Sequence, residues 1–175
     1  MAETVTDIVT GQWSSSLAFV RTDTQQIGTV RNSASSSATY TFSDGSGTGQ
    51  ADLAFGDTRT IAANTVEEID LLNLDRSHLG VTVPMVFRQL VAVRIVNKET
   101  TAGKRLLVGV DPGSPTTSYA FEVGPGMEVA SANTTDGWVV TNTNSTLRLA
   151  NPNNTPLEYE IFLLGNSTAV GGSGL

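Results

Sequence analysis

The stretch MVFRQLVAVRIVN, residues 85–97, has the hydrophobic pattern that decides the fold. The odd-numbered positions include the apolar residues Phe87, Val91, Val93 and Ile95. The even-numbered positions include Arg88 and Arg94. Successive side chains of a strand point to opposite faces, so this alternation is typical of a half-buried strand. Pro84 and the density of β-branched residues disfavour a helix. The stretch therefore predicts a long strand with one face in a core.

The same alternation recurs in KRLLVGVD (104–111), GWVVT (137–141), TLRLA (146–150) and LEYEIFLLG (157–165). Turn sequences such as DPGSP, GPG, TTDG, TNTN and NPNN separate these runs. Because each strand has to bury one face, the runs predict a shared β core. That predicted core consists of Phe87, Val91, Val93, Ile95, Leu106, Val108, Leu147, Leu149, Tyr159 and Ile161.

Short strands at intervals of about ten residues indicate an all-β fold. We predict a single antiparallel β-sandwich or jelly-roll-like domain over residues 41–166. Residues 1–40 are rich in Ser, Thr and Gln, and they are predicted to form an extended N-terminal arm or additional strands. Residues 167–175, STAVGGSGL, have little to bury and are predicted to be a flexible tail.

The stretch NTVEEIDLLNLD, residues 64–75, supports two interpretations. Asn64 could cap a short helix with Glu67 at its third position. Alternatively, the stretch is a strand with a bulge at Glu67 and Glu68, which agrees with the β pattern on both sides. The sequence favours the strand.

The composition excludes several classes of function. The chain has 10 basic and 17 acidic residues, for a net charge of -7, and it lacks the basic surface of a nucleic-acid binder. It has no cysteine and one histidine, so disulfides, thiolate nucleophiles and two-histidine metal sites are impossible. The polar N-terminus and the lack of a long apolar run predict a protein made soluble in the cytosol, with no membrane partner.

Three groups of residues invite a chemical interpretation. The GSGTG string at 45–49 resembles a phosphate-binding loop, but no Lys-Ser/Thr follows it, so a glycine-rich hairpin turn is favoured. Four clustered acidic residues could in principle supply oxygen ligands to calcium: Glu67, Glu68, Asp70 and Asp75. The alternating Asp/Asn loop that would make a calcium site specific is absent, so a calcium site is disfavoured. Glu158 and Glu160 share a strand face, and cross-strand pairing with Arg88 and Arg94 is favoured over a glycosidase pair.

The remaining candidates also have a simpler interpretation. His78 is a polar turn residue without an evident acid-base partner. Trp138, Tyr119, Phe121 and Tyr159 could form a sugar-binding aromatic platform, but core packing is favoured for so few rings. Asn-X-Ser/Thr sequons at Asn133, Asn144, Asn153 and Asn166 are interpreted as by-products of an Asn/Thr-rich chain. We therefore predict no catalytic, cofactor-binding or metal site.

The order of motifs over residues 40–166 resembles a known group of proteins. The motifs are TYTFSDGSGTGQADLAFGDTRTIAANTVEEIDLLNL, LGVTVPMVFRQLVAVRIVN, LLVGV, VGPGMEVAS, GWVVT, TLRLAN and YEIFLLG. They are similar to small proteins encoded in the head-gene regions of tailed bacteriophages. The resemblance implies a virion structural protein that decorates or cements the capsid shell, or a minor head component.

The leading expectation is a non-enzymatic bacteriophage decoration or cement protein located in the virion. It would bind the phage major capsid protein on the outside of the shell and form a symmetric homo-oligomer, with a homotrimer favoured. The alternative is a head-fibre or tail-associated β-sandwich module that binds host-surface glycans. An exposed aromatic platform would favour the alternative, whereas hundreds of copies per particle would favour decoration.

Overall fold

The computed structural model describes residues 8–25, 28–78, 81–109 and 121–169. Within these ranges the chain forms fourteen β-strands and no helix, which confirms the predicted all-β class. In the same ranges there is accordingly no helix that could cross a membrane. The strands form two main sheets, a three-stranded sheet that contains a long hairpin, and a two-stranded hairpin.

The first main sheet, sheet I, contains five antiparallel strands. The strand order is β11-β8-β14-β4, and β12 also pairs with β8. The five strands are β4 (Leu53–Ile61), β8 (Gln89–Asn97), β11 (Glu128–Ala132), β12 (Trp138–Val139) and β14 (Leu157–Asn166). The MVFRQLVAVRIVN stretch thus supplies β8, next to the centre of the sheet.

The second main sheet, sheet II, has four antiparallel strands in the order β10-β9-β13-β5. The four strands are β5 (Thr65–Asp70), β9 (Leu106–Val108), β10 (Phe121–Val123) and β13 (Thr146–Asn151). One hydrophobic cluster joins residues of sheets I and II, so the two sheets form a sandwich. All ten predicted core residues are buried, whereas Arg88 is exposed and Arg94 half-buried.

Val91 is the one predicted core residue that lies on the wrong side of sheet I. The register between β14 and β8 shifts so that Leu164 pairs with Ala92 and Gly165 pairs with Leu90, which skips Val91. A skipped residue reverses the alternation. Leu90 therefore joins the main core, and Val91 packs with Ala92 in a second cluster.

Residues 65–70 of the stretch 64–75 form β5, a turn follows at 71–73 and the next strand begins at Leu74, so the helix alternative is wrong. Asn64 has a positive φ of 54°, which ends the preceding turn, and β5 begins at Thr65. The predicted bulge is also wrong, because Glu67 pairs with Leu149 and Glu68 with Arg148 in an unbroken register. Glu67 is consequently on the same face as the buried Ile69.

The N-terminal part, for which an extended arm or additional strands were predicted, forms a long hairpin. Strands β1 (Gly11–Gln25) and β2 (Gly28–Asp44) pair antiparallel, and the predicted boundary after residue 40 falls inside β2. At about 3.4 Å per residue, a fifteen-residue strand extends roughly 50 Å. A shorter hairpin joins β6 (Leu74–His78) to β7 (Val81–Met85).

The glycine-rich string 45–49 connects β2 to β3 (Gln50–Ala51). These strands pair parallel, so the string is a loop and the predicted hairpin turn is wrong. The side chain of Gln50 closes the loop by accepting a hydrogen bond from the Gly47 N–H at 2.8 Å. Residues 170–175 of the predicted tail lie outside the described residues. At the start of the tail, the Ser167 N–H donates a hydrogen bond to Asp52 Oδ1.

Candidate interaction surface

The acidic residues considered above as calcium ligands do not converge on one site. Glu67 lies at the edge of the core, where its Oε1 accepts from Arg59 Nη1 at 2.7 Å and its Oε2 accepts from the Tyr159 hydroxyl at 2.9 Å. Glu68 is 3.9 Å from Arg148 on the opposite face, and Asp70 caps the Leu72 N–H. Within the described ranges, no cluster of acidic or histidine side chains could hold a metal ion.

The Tyr159 hydroxyl is part of the structural framework. Burial, followed by the negative charge of Glu67, raises the pKa of Tyr159 well above its usual range. The hydroxyl therefore remains a hydrogen-bond donor to Glu67 at physiological pH. This bond fixes the side chain of an otherwise apolar core residue and offers no acid-base group to a ligand.

Glu160 has an ionic partner, but not a predicted one. Lys98 Nζ lies 2.6 Å from Glu160 Oε1, and Arg94 pairs with Glu128. In the observed register Arg94 lies opposite Phe162, one position beyond Glu160 on that face. Pairing with Arg88 and Arg94 is therefore wrong, although the two strands are neighbours as expected.

Three of the four aromatic residues weighed as a sugar-binding platform lie within the described residues, and they do not share a surface. Tyr159 is fully buried, Trp138 is half-buried on sheet I, and Phe121 is exposed on sheet II. Tyr119 lies outside the described residues, as does the side chain of His78 at the end of β6.

The sequon asparagines mostly organise loops. The side-chain Nδ2 atoms of Asn133, Asn144 and Asn153 donate to backbone carbonyls at 2.8, 3.0 and 2.8 Å. Asn166 is fully buried at the end of β14, which leaves no room for a glycan. These contacts give the asparagines a structural role that does not depend on modification.

Sheet I has a layered outer face that sequence reasoning missed. One row across its four main strands consists of Ala54, Leu164, Ala92 and Ala132, and the next row consists of Gly56, Phe162, Arg94 and Ala130. The base of the long hairpin covers the first row, where Phe42 and Trp13 pack against it. The second row lies just beyond the part of sheet I that the hairpin covers, and its Phe162 side chain is 43% exposed.

A cleft runs between the start of β1 and this second row, and we refer to it as the β1 cleft. Its apolar part, about 390 Å³, is lined by Trp13, Gly56, Phe162 and their neighbours. Its polar part, about 480 Å³, is lined by Gln12, Ser14, Ser16, Arg94 and Glu128, among others. Trp13 and Arg94 border both parts, so the two are adjoining.

The second surface feature is an apolar stripe on the projecting hairpin. The register places Leu17 and Tyr40 on the face that carries Trp13 and Phe42 at the base. Leu17 is 72% exposed and Tyr40 is also exposed. We call Leu17, Ala38 and Tyr40 the hairpin stripe. The stripe lies on the same face of the hairpin as the residues that pack against sheet I. Further from the base, the side chains on this face are exposed to solvent.

Comparisons with known proteins concern the fold only. No family model matches the sequence, and no curated protein matches it. One similar solved structure is the solution NMR structure of a de novo designed double-stranded β-helix, with 15% identity and a TM-score of 0.36, covering 62% of this chain and 97% of the other. Another is the Cupin_2 domain of an XRE family transcriptional regulator from Enterobacter cloacae, with 11% identity and a TM-score of 0.35, covering 63% and 79%.

Proposed function

We propose that this chain is a virion structural protein that binds the outside of a tailed-phage capsid and decorates or cements the shell. The partners would be the phage major capsid protein and other copies of this chain in a symmetric oligomer, with a trimer favoured. The protein would be made in the host cytoplasm and reside in the virion. The resemblance of residues 40–166 to phage head-region proteins supports this function.

The hairpin stripe is the observation that carries the proposal. A two-stranded ribbon is marginally stable in water, and one that exposes Leu17 and Tyr40 leaves apolar surface uncovered. Packing against a shell or a neighbouring subunit would bury that surface. An oligomer that repeats such a modest contact several times gains avidity without any single strong site.

A role without catalysis agrees with the pairing of the carboxylates. Glu160 is bonded to Lys98, and Glu67 is bonded to Arg59 and Tyr159. A glycosidase requires two carboxylates that face a substrate across a cleft. We therefore propose that the protein does not hydrolyse peptidoglycan or polysaccharide, and a turnover assay with Glu160→Gln as the comparison tests this.

Shell binding by hairpin variants tests the main proposal. Leu17→Asp puts a charge on the hairpin stripe, and Ser37→Asp puts the same charge on the opposite, exposed face of the hairpin. Co-sedimentation with purified shells should be at least tenfold weaker for Leu17→Asp and within about twofold of the parent for Ser37→Asp. Equal binding by all three proteins would contradict attachment through the stripe.

The β1 cleft favours the second candidate, a head-fibre or tail-associated module that binds host-surface glycans. The cleft brings aromatic and polar side chains together, although not those of the aromatic platform that the sequence analysis weighed and disfavoured. Counting this chain in purified virions separates the candidates. Hundreds of copies per particle agree with decoration, whereas a few copies at a fibre or tail agree with the second candidate.

A further inference from the structure

We infer that the β1 cleft is a binding site for a neutral oligosaccharide, with Phe162 as its stacking surface and the Arg94–Glu128 pair as its polar anchor. This inference deepens the second candidate function but rests on the cleft itself. It holds whether the protein sits on the shell, on a fibre or on a tail.

Phe162 provides the apolar floor. Its cross-strand neighbour on β4 is Gly56, and a Cβ atom at that position would lie 3.2 Å from Phe162 Cδ1. The ring therefore packs closely over Gly56, and a Cβ atom there would make it shift by a few tenths of an ångström. An aromatic ring held against a sheet, with 43% of the side chain exposed, offers apolar area at little cost in conformational entropy.

Arg94 and Glu128 form the polar side of the cleft. Arg94 Nε and Nη2 both donate to Glu128 Oε2, at 2.9 and 2.5 Å. The guanidinium carbon lies over the Phe162 ring, 5.5 Å from its centre, so the pair adjoins the floor and leaves the rest of the ring open to a ligand. A guanidinium has five N–H donors and a carboxylate has two acceptor oxygens. The pair can therefore donate to and accept from neighbouring hydroxyl groups on one ligand.

The opposite wall is also suited to hydroxyl groups. Gln12, Ser14 and Ser16 of β1 line the polar part, and Trp13 borders both parts. A mainly apolar floor with a few placed polar groups is the usual composition of a small-ligand site, and the two volumes are within the usual size range. Four strands at about 4.8 Å spacing make the row roughly 14 Å long, which favours an elongated ligand.

The charges favour a neutral ligand. Glu128 compensates Arg94, so the polar anchor has no net charge, and the chain carries a net charge of -7. A phosphate or polyanionic ligand would need uncompensated cations. A purely apolar ligand would leave the Arg94–Glu128 pair and the serine hydroxyls desolvated without new partners. An uncharged saccharide satisfies both parts of the cleft.

Tryptophan fluorescence offers a direct binding assay. The chain has two tryptophans, so Trp138→Phe leaves Trp13 in the cleft as the reporter. We would titrate this full-length protein with maltohexaose, cellohexaose and chitohexaose, and with an oligogalacturonate as the anionic comparison. The expected result is a saturable change with at least one neutral hexasaccharide and none with the anionic one.

Matched aromatic variants locate the site. Phe162→Ala and Phe162→Leu, made in the Trp138→Phe protein, should each weaken binding at least tenfold, and the leucine keeps an apolar side chain if the alanine variant is unstable. Phe121→Ala is the control, because Phe121 is 45% exposed on a strand of the other sheet. It should bind within about twofold of the parent.

Three results would overturn the inference: no saturable change with any neutral hexasaccharide, binding of the oligogalacturonate alone, or equal binding by the Phe162 and Phe121 variants. Shell co-sedimentation of the Phe162 variants keeps this test separate from the main proposal. Lost sugar binding with normal shell binding supports the cleft, and loss of shell binding by Leu17→Asp with normal sugar binding supports the stripe.

Discussion

At the residue scale, Val93 shows how strictly one face of β8 requires apolar side chains. It is buried in the main core, and an aspartate there would be a charge without a partner. We expect Val93→Asp to lower the free energy of unfolding by several kcal/mol, about 3 or more. Val139→Asp, at an exposed position on neighbouring β12, is the matched control and should change it by less than about 1 kcal/mol. Urea denaturation measures both, and an unchanged midpoint for Val93→Asp would contradict the placement.

Glu99 gives a pH-dependent prediction at the same scale. Its Oε2 is 2.8 Å from Lys104 Nζ, and its Oε1 accepts from the Glu158 N–H at 3.2 Å. The Lys104 hydrogen bond, followed by that N–H, lowers the pKa of Glu99 below its ordinary value of 4.5. A lowered pKa in the folded state means that the charged form stabilises the fold above pH 4.5 and that this stabilisation is lost as the pH falls through the lowered pKa.

Glu99→Gln should therefore lower the melting temperature at pH 7 by a few degrees at most, and the difference from the parent should shrink as the pH falls below 4.5 and through the lowered pKa. Thermal melts followed by circular dichroism across this range make the comparison. Glu122→Gln removes a carboxylate from an exposed ion pair with Arg105 and is the control for a general charge effect. A difference that grows towards low pH would show that the sign is wrong.

At the scale of the element, Gly165 is important for the pairing of β14 with β8, because it lies where the register between these two strands shifts. A Cβ atom there would lie 2.2 Å from the backbone oxygen of Gln89 and 2.6 Å from Phe87 Cδ1. Since a backbone atom cannot move aside alone, Gly165→Ala should destabilise the protein by about 2 kcal/mol or more. Gly124→Ala, whose nearest neighbour would be Met127 Cγ at 3.7 Å, should be close to neutral. Similar denaturation midpoints for the two variants would count against the tight approach.

The elements differ in how far their sequences predict them. Strands with a regular alternation and a strong core face, such as β13 and β14, follow directly from the pattern. The pairing partner of a strand does not, and the Val91 bulge depends on how β14 aligns with β8. The long hairpin was predicted only as an arm or additional strands, because Ser-rich strands have no hydrophobic periodicity to mark them.

Shell attachment is a prediction at the scale of the whole molecule. Only 15% of the residues are charged and the excess is acidic, so long-range attraction to an acidic or neutral shell is weak. Apolar and hydrogen-bonded contacts repeated by symmetry should then survive about 1 M salt, where the Debye length is about 3 Å. Co-sedimentation at low and high salt measures retention on the particle. Release at moderate salt would contradict the contact argument.

The candidate surface was less predictable than the fold because it exists only at the scale of the whole molecule. Trp13 and Phe162 are far apart in sequence and come together in the cleft once the hairpin base covers sheet I. Phe162 lies in a strand whose other large residues are mostly buried, so its sequence context suggests that it is buried too. It alternates with Tyr159 and Ile161, however, and so lies on the same outward face as Glu158 and Glu160, which is the signal that could have identified it.

The position of β14 in sheet I has a consequence for biosynthesis. This strand comes last of the fourteen in the described chain, yet it lies between β8 and β4. Neither neighbour can complete its pairing until residues 157–166 have left the ribosome, so the body should fold after synthesis of this strand and more slowly than a chain of local contacts. A nascent or prematurely ended chain that lacks β14 would then have no complete sheet I, so under the function proposed above it could not take part in assembly.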